Sequence, residues 1–201
     1  MFSASPELRV QDPTSAGSLD LTSDLKPRRI LDVCAGRGTK TKQLRALFPD
    51  AMIGATEPND ERRASLMEIA NDIDVEVYST DSDGPTELFD LVVVDTPCSN
   101  SGVFARRPEA RLRYDSKHIA SLVELQRTIL RESIPMVENK GYLLYATCSI
   151  DHAENEGQVQ WLSSKHQMQK CLDTFTLPSG QPGSDPTRWC DGGFAALLQT
   201  R

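Results

Sequence analysis

The chain has 201 residues, 38% of them hydrophobic and 25% charged, with a formal net charge of −7. That length suits one well-buried domain, and the negative balance argues against a protein that holds nucleic acid by a global positive field. No apolar run approaches the ~18 residues of a membrane span, and the opening "MFSASPELRVQDPTSAG" lacks the apolar core of a signal peptide. Five Cys without a CxxC pair, in a chain with no secretory signal, predict free thiols and a cytoplasmic location. His118, His152, His166 and the Cys show no metal-ligand spacing, so no metal site is expected.

Residues 1–27 are polar and are expected to pack as an N-terminal segment on a core of residues 28–201; Asp12 before Pro13 reads as a helix N-cap with Pro at the first helical position. "RRILDVC" is an apolar, β-branched strand, and "TKTKQLRALF" a helix with Leu44, Leu47 and Phe48 on one face. "AMIGATE" is the second strand, "PNDERRASLMEIAND" a helix opening at Pro58, and "VEVYS" the third strand. "FDLVVVD" is apolar throughout its centre, as a strand covered on both faces should be. Residues 96–115 read as a long loop, a length that is usually functional. Ile119, Val123, Leu130, Ile134 and Val137 then recur at helical spacing, with Pro135 kinking or ending the helix. "GYLLYATC", a helix over "HAENEGQVQWLSSKH", and the closing strands "CLDTFTL" and "GFAALLQT" complete the chain.

Strands alternating with helices predict a parallel sheet with helices on both faces. Two consecutive strands at the end add an antiparallel hairpin, a pattern that resembles the seven-stranded, Rossmann-like methyltransferase fold more than a dinucleotide-binding one.

The turn after strand one, "CAGRGTKT", narrows the ligand. A P-loop would need glycines where Cys34 and Thr39 stand, and the dinucleotide fingerprint needs Gly or Ala where Thr41 stands. What remains is Gly36, Gly38 and an acid, Glu57, at the end of strand two, where a carboxylate can accept from both ribose hydroxyls. A turn without a phosphate cradle suits S-adenosylmethionine; the two glycines also serve simply to let the chain turn tightly.

Strand four ends "DTPCSNSG" and strand five ends "ATCS". Ligands in open α/β sheets bind beyond the carboxyl ends of the strands, so Asp95, Cys98 and Cys148 are expected over the same crevice as Gly36. A thiol does nothing for methylating an exocyclic amine. It does solve the problem of cytosine C5, which becomes nucleophilic once a thiolate adds to C6. A second group must then remove the C5 proton. "FARRPEARLRYD" carries Arg106, Arg107, Arg111 and Arg113 against Glu109 alone, a local candidate for RNA contact in an acidic chain.

"VQDPTS", "LDVCAGRGTKT", "DTPCSNSGVFARRPEARLRY", "LVELQRTIL", "YATCSIDHAENE" and "DGGFAALL" resemble, in order, the motifs of the RNA cytosine-C5 methyltransferases of the Sun/Nop type. The resemblance covers essentially the whole chain and implies that residues 28–201 are a methyltransferase catalytic domain. By it, Cys148 is the nucleophile and Cys98 assists product release, while the DNA-enzyme arrangement would make Cys98 the nucleophile. Asp95 would hold the base near N3. The cofactor, S-adenosylmethionine, would lie along Cys34, Ala35, Gly36, Arg37, Gly38, Thr39 and Lys40, against Asp95, with Glu57 on the ribose. Asp81, with Asp83 as alternative, would hold adenine, and Lys40 would orient Asp95 or lower a thiol pKa. The role of Arg37 stays open. Ribosomal RNA is the expected substrate, ahead of transfer RNA, with an RNA-binding domain or partner beyond this chain supplying affinity. The rival expectation is a catalytically silent S-adenosylmethionine- or RNA-binding module, which need not retain Asp95, Cys98 and Cys148.

Overall fold

The computed structural model describes residues 11–79, 84–180, 183 and 185–201. Asp81 and Asp83, the expected adenine contacts, lie outside them.

Side chains on successive strand residues point to opposite faces, and the apolar runs use this to build two cores. On one face Ile30, Ile53, Leu91, Val93 and Leu144 meet Leu19, Leu44 and Leu66. On the other, Leu31, Val92, Val94, Leu143 and Tyr145 meet Leu130 and Leu162. Each fully buried Leu or Ile stabilises the fold by roughly 1.5–3 kcal/mol, so covering both faces is what makes a central strand such as β4 worth its uninterrupted apolar sequence.

The strands are β1 (Arg29–Val33), β2 (Met52–Thr56), β3 (Val75–Tyr78), β4 (Phe89–Asp95), β5 (Val137–Thr147), β6 (Gln169–Thr176) and β7 (Gly193–Gln199), in the order β3-β2-β1-β4-β5-β7-β6. The first five run parallel, and β7 is antiparallel to both β5 and β6. The chain proceeds from β1 outward through β2 and β3, then returns to β4 and β5 on the other side of β1. The carboxyl ends of β1 and β4 therefore flank a topological switch point.

Helices α2 (Thr39–Leu47) and α3 (Asp60–Ala70) cover the first core, and α4 (Ser116–Ser133) and α5 (Glu156–Lys165) the second. The short α1 (Pro13–Gly17) is capped by Asp12, whose side chain accepts from Thr14 N, with Pro13 at the first position. Leu19, just beyond, is fully buried in the first core, so the described part of the N-terminal segment is packed on the sheet.

Four boundaries differ from the sequence reading. Asn59 caps α3, accepting from Arg62 N, which leaves Pro58 ahead of the cap. Val137 belongs to β5, paired with Phe89, because α4 ends at Ser133 in a one-turn 3-10 segment around Pro135. Helix α5 starts at Glu156, and residues 152–155 form a turn instead. The loop 96–115 contains two 3-10 segments, Ser101–Val103 and Pro108–Arg113, which hold its arginines in a defined arrangement.

Candidate active site

Where β1 ends, Cys34, Gly36 and Gly38 take positive φ of 60°, 60° and 78°. Glycine takes this conformation at no steric cost, and at Gly38 there is a second reason for it. A Cβ there would stand 2.6 Å from Ile69 Cδ1 and 2.9 Å from Leu66 Cδ1 of α3. At Gly36 a Cβ would meet nothing within 4 Å among the described residues, so this residue turns bare backbone away from them. Glu57, only 2% exposed, ties the turn down: Gly36 N donates to Oε2 (2.8 Å) and Asn59 N to Oε1 (2.9 Å). Arg37 pairs with Glu61 on α3 at 2.5 Å.

A cavity of about 450 Å³ opens over this turn, lined by Asp32, Cys34, Ala35, Gly36, Arg37 and Thr39 and closed by Asp95 at the end of β4, the loop that follows it and Cys148 just past β5. Glu57 is not among its lining residues. Burial, then Glu57, Asp32 and Asp95, push the Cys34 thiol up to about 12, so it stays protonated. Asp32 is fully buried; burial pushes its pKa up to about 7 against the Thr41 hydroxyl, which donates to Oδ2 at 2.6 Å. Among the described residues its Oδ1 has no hydrogen-bond partner.

Lys40, the second residue of α2, is directed into the site and is 7% exposed. Its Nζ donates to Asp95 Oδ2 and to Ser15 Oγ, both at 2.9 Å. Burial alone would lower the Lys40 pKa, but the Asp95 carboxylate outweighs it and holds the ammonium above its ordinary value.

The two strand-end cysteines meet. Cys98 Sγ and Cys148 Sγ are 3.2 Å apart. The hydrogen bond from Cys98 lowers the Cys148 pKa, opposed by burial and Asp95 and aided by Lys40 and Arg107. That same bond, with burial, raises Cys98 well above the thiol norm. The pair is thus polarised, with Cys148 the readier thiolate.

A buried polar web holds both thiol loops. Glu154, fully buried, accepts from Ser99 N (2.9 Å), Ser99 Oγ (2.6 Å), Ser149 Oγ (2.6 Å) and Gln126 Nε2 (3.0 Å). Asn155 Nδ2 donates to Ser149 O, and Thr147 Oγ1 donates to Asn155 Oδ1. Gly102 N donates to Cys148 O (3.1 Å) and Gly192 N to Gly102 O (2.8 Å); a Cβ on Gly102 would collide with the Gly192 carbonyl. Three loops far apart in sequence are joined through backbone at this point.

A family model described as 16S rRNA methyltransferase RsmB/F matches residues 21–188. The chain belongs to that family. The ribosomal RNA small subunit methyltransferase B of Erwinia tasmaniensis is 31% identical over 193 residues, 92% of this chain and 44% of that protein. The chain thus spans less than half the length of this curated relative. Among solved structures, PH0851 is 27% identical with a TM-score of 0.74, covering 96% of this chain and 47% of that one. NSun6 from Pyrococcus horikoshii, solved with SFG, has a TM-score of 0.76 at 22% identity, covering 99% of this chain and 56% of that one. The fold is the Rossmann-like S-adenosylmethionine-dependent methyltransferase fold, a seven-stranded, mostly parallel sheet with an antiparallel β7.

The four arginines separate in space. Arg106 is bound to Asp191, Nε to Oδ1 at 3.0 Å and Nη2 to Oδ2, so its charge is already matched. Asp191 is anchored from the other side, its N donating to Asp12 Oδ2 and its carbonyl accepting from Thr14 Oγ1. Arg107 lines the crevice beside Cys148. Arg111 lies 5.8 Å over the Phe104 ring, and Arg113 is exposed. A second cavity of about 210 Å³ lies between α1, Arg106 and the ends of β6 and β7; Ser15, Lys40, Asp95, Asn100, Arg107 and Cys148 line both cavities.

Ser15, Asp32, Asn100, Gln126, Glu154 and Asp191 enter the sequence reading only as letters of its motifs, with no role assigned. A buried acid inside an apolar strand, as at Asp32, was the one local signal available.

Proposed function

We propose that this chain methylates C5 of cytosine in RNA, ribosomal RNA ahead of transfer RNA, with S-adenosylmethionine as donor. The observation that carries the reading is the Cys98–Cys148 pair at 3.2 Å, placed where the two cavities meet beside the Lys40–Asp95 ion pair. Family membership supports RNA as the substrate class, and the relative's name supports ribosomal RNA.

The larger cavity falls within the size range of nucleoside sites. Its bare backbone at Gly36 and its lack of a phosphate cradle fit S-adenosylmethionine, which supplies an electrophilic methyl group when bound. Cys34 to Lys40 would line it. Glu57 would meet the ribose with the lone pairs its two amide bonds leave free, while also holding the turn. Arg37 serves the turn through Glu61.

In the smaller cavity Asp95, oriented by Lys40, would hold the base edge near N3. Cys148 Sγ adds to C6, the 5,6 double bond opens, and C5 becomes the nucleophilic carbon. Cys98 is assigned to release: with its own proton given up to water, its sulfur takes the proton from C5, the double bond re-forms, and the bonding pair of the Cys148–C6 bond leaves on the Cys148 sulfur. Arg107, Arg111 and Arg113 would meet phosphates, and Arg106 would shape the crevice through Asp191. With a net charge of −7, a further domain or partner would contribute RNA affinity.

RNA containing 5-fluorocytosine tests this, because its fluorine cannot leave as a proton does. The expected result is a covalent complex that survives denaturing electrophoresis and disappears in Cys148→Ala. With ordinary cytosine, Cys98→Ala should transfer the methyl group and then stall as the same complex. If Cys148→Ala traps RNA and Cys98→Ala does not, the thiol roles are reversed. No adduct with any cellular RNA would favour the silent binding module.

A further inference from the structure

Asn100 stands beside the two thiols, outside the Glu154 network that holds their loops. It lines both cavities and takes the left-handed conformation, φ 59° and ψ 27°. Asn is among the few residues with a side chain that tolerates this region. Its amide is oriented by the backbone: Nδ2 donates to Cys98 O at 3.1 Å, so Oδ1 faces the other way. There it accepts from the Cys148 thiol, with Sγ and Oδ1 3.1 Å apart. Cys98 and Cys148 are in contact at 3.2 Å, so a relay runs from the Cys98 S–H to the Cys148 sulfur and from the Cys148 S–H to the Asn100 carbonyl oxygen.

We propose that Asn100 is a positioning residue of the thiol pair: its amide, locked by the Cys98 carbonyl, holds the Cys148 sulfur at the junction of the two cavities and keeps it a hydrogen-bonded thiol. This rests on the reading of Cys148 as the reacting thiol. The physical reason is directional. A carbonyl oxygen can only accept, so it stabilises the S–H form and repels a thiolate at the same distance. Cys98 acts in the opposite sense by donating to the sulfur, as do Lys40 and Arg107 by their charge, while burial and the Asp95 carboxylate side with Asn100. Cys148 is therefore poised between a group that favours the anion and one that withholds it. A base entering the smaller cavity reaches Asn100 and Cys148 together, so occupancy and release of the thiol proton are linked by the same side chain.

Asn100→Gly and Asn100→Asp test the assignment. Gly accommodates the positive φ and removes the acceptor; Asp is nearly isosteric and makes the acceptor anionic. The readout is the pH midpoint of Cys148 alkylation by iodoacetamide, followed on the Cys148 peptide by mass spectrometry. A midpoint does not move when a substitution merely widens access. The expected order is Gly below wild type below Asp, with steps of about half a pH unit or more, roughly threefold in thiolate fraction. The acid limb of adduct formation on 5-fluorocytosine RNA should move by the same amounts. A midpoint in Asn100→Gly equal to or above wild type overturns the proposal, as does one in Asn100→Asp below wild type. Ordered midpoints with no adduct in wild type would sink the methyltransferase reading and uphold the Asn100 assignment.

Discussion

Lys40 Nζ and Asp95 Oδ2 are 2.9 Å apart, joining the first turn of α2 to the end of β4 across the floor of the crevice. The lysine side chain is 8% exposed and the aspartate 37%, so the pair is half sheltered from water. Lys40→Met strands Asp95 and Ser15. Breaking a fully buried pair costs about 3–5 kcal/mol and an exposed one about 0–1. Screening at Asp95 places the expected loss at about 1–2 kcal/mol in urea unfolding. The Lys40 pKa is raised on folding, so its contribution is complete below the ordinary lysine value and is lost as pH rises through the raised one. The wild-type advantage should be constant from pH 7 to 9 and shrink only in strong alkali. A difference that already fades near neutrality would refute the ion pair.

Asp32 titrates with the same sign at far lower pH. Its carboxyl is pushed from the ordinary aspartate range up to about 7, so between those values the folded state binds more protons than the unfolded one. Stability should therefore fall as pH rises through that window, by at most about 1.4 kcal/mol per pH unit from this group. Asp32→Asn keeps an acceptor for Thr41 and should flatten the slope. Urea midpoints at pH 5 and 7 measure it. An unchanged slope in the variant would locate the titration elsewhere.

Cofactor binding can be read without RNA. S-adenosylmethionine, or its demethylated product, at 100 times its dissociation constant should add roughly 2.7 kcal/mol to stability, seen as a higher Tm. NAD and ATP should add little, because the turn from Cys34 to Thr41 lacks the glycine pattern of either phosphate cradle. Stabilisation by NAD alone would overturn the assignment of the larger cavity.

The arginines should divide under titration with salt. Arg107→Ala and Arg113→Ala should each weaken RNA binding and shallow the salt slope by roughly 0.7–0.9 per lost phosphate contact. Arg106→Ala should lower Tm, because it leaves the nearly buried Asp191 carboxylate without its cation. Equal salt slopes in all three variants and wild type would make this loop a solvated face.

The strands, the parallel sheet and its terminal antiparallel hairpin were legible in the sequence, though not the insertion of β7 between β5 and β6. Leu91–Val94 reads as a doubly covered strand because burial on two faces demands apolar residues at both parities. The αL glycines at 36 and 38, the Asp12 cap and the two strand-end cysteines are likewise determined within a few residues, by backbone sterics and local hydrogen bonding. Val137 shows where this stops: its spacing continued the helix, but pairing with Phe89 claimed it for β5. Only the tertiary structure decided which charges are spent. Arg106 looked like a free cation until Asp191, 85 residues away, matched it, and Lys40, which only the family resemblance linked to Asp95, meets that carboxylate from 55 residues away. Glu154 and Ser99 are also 55 residues apart, and no local pattern records that the carboxylate closes both thiol loops. Periodicity and turn chemistry are properties of a short window. The protonation and orientation of Cys148 depend on Cys98, Asn100, Lys40 and Arg107, which reach it only when the chain has folded.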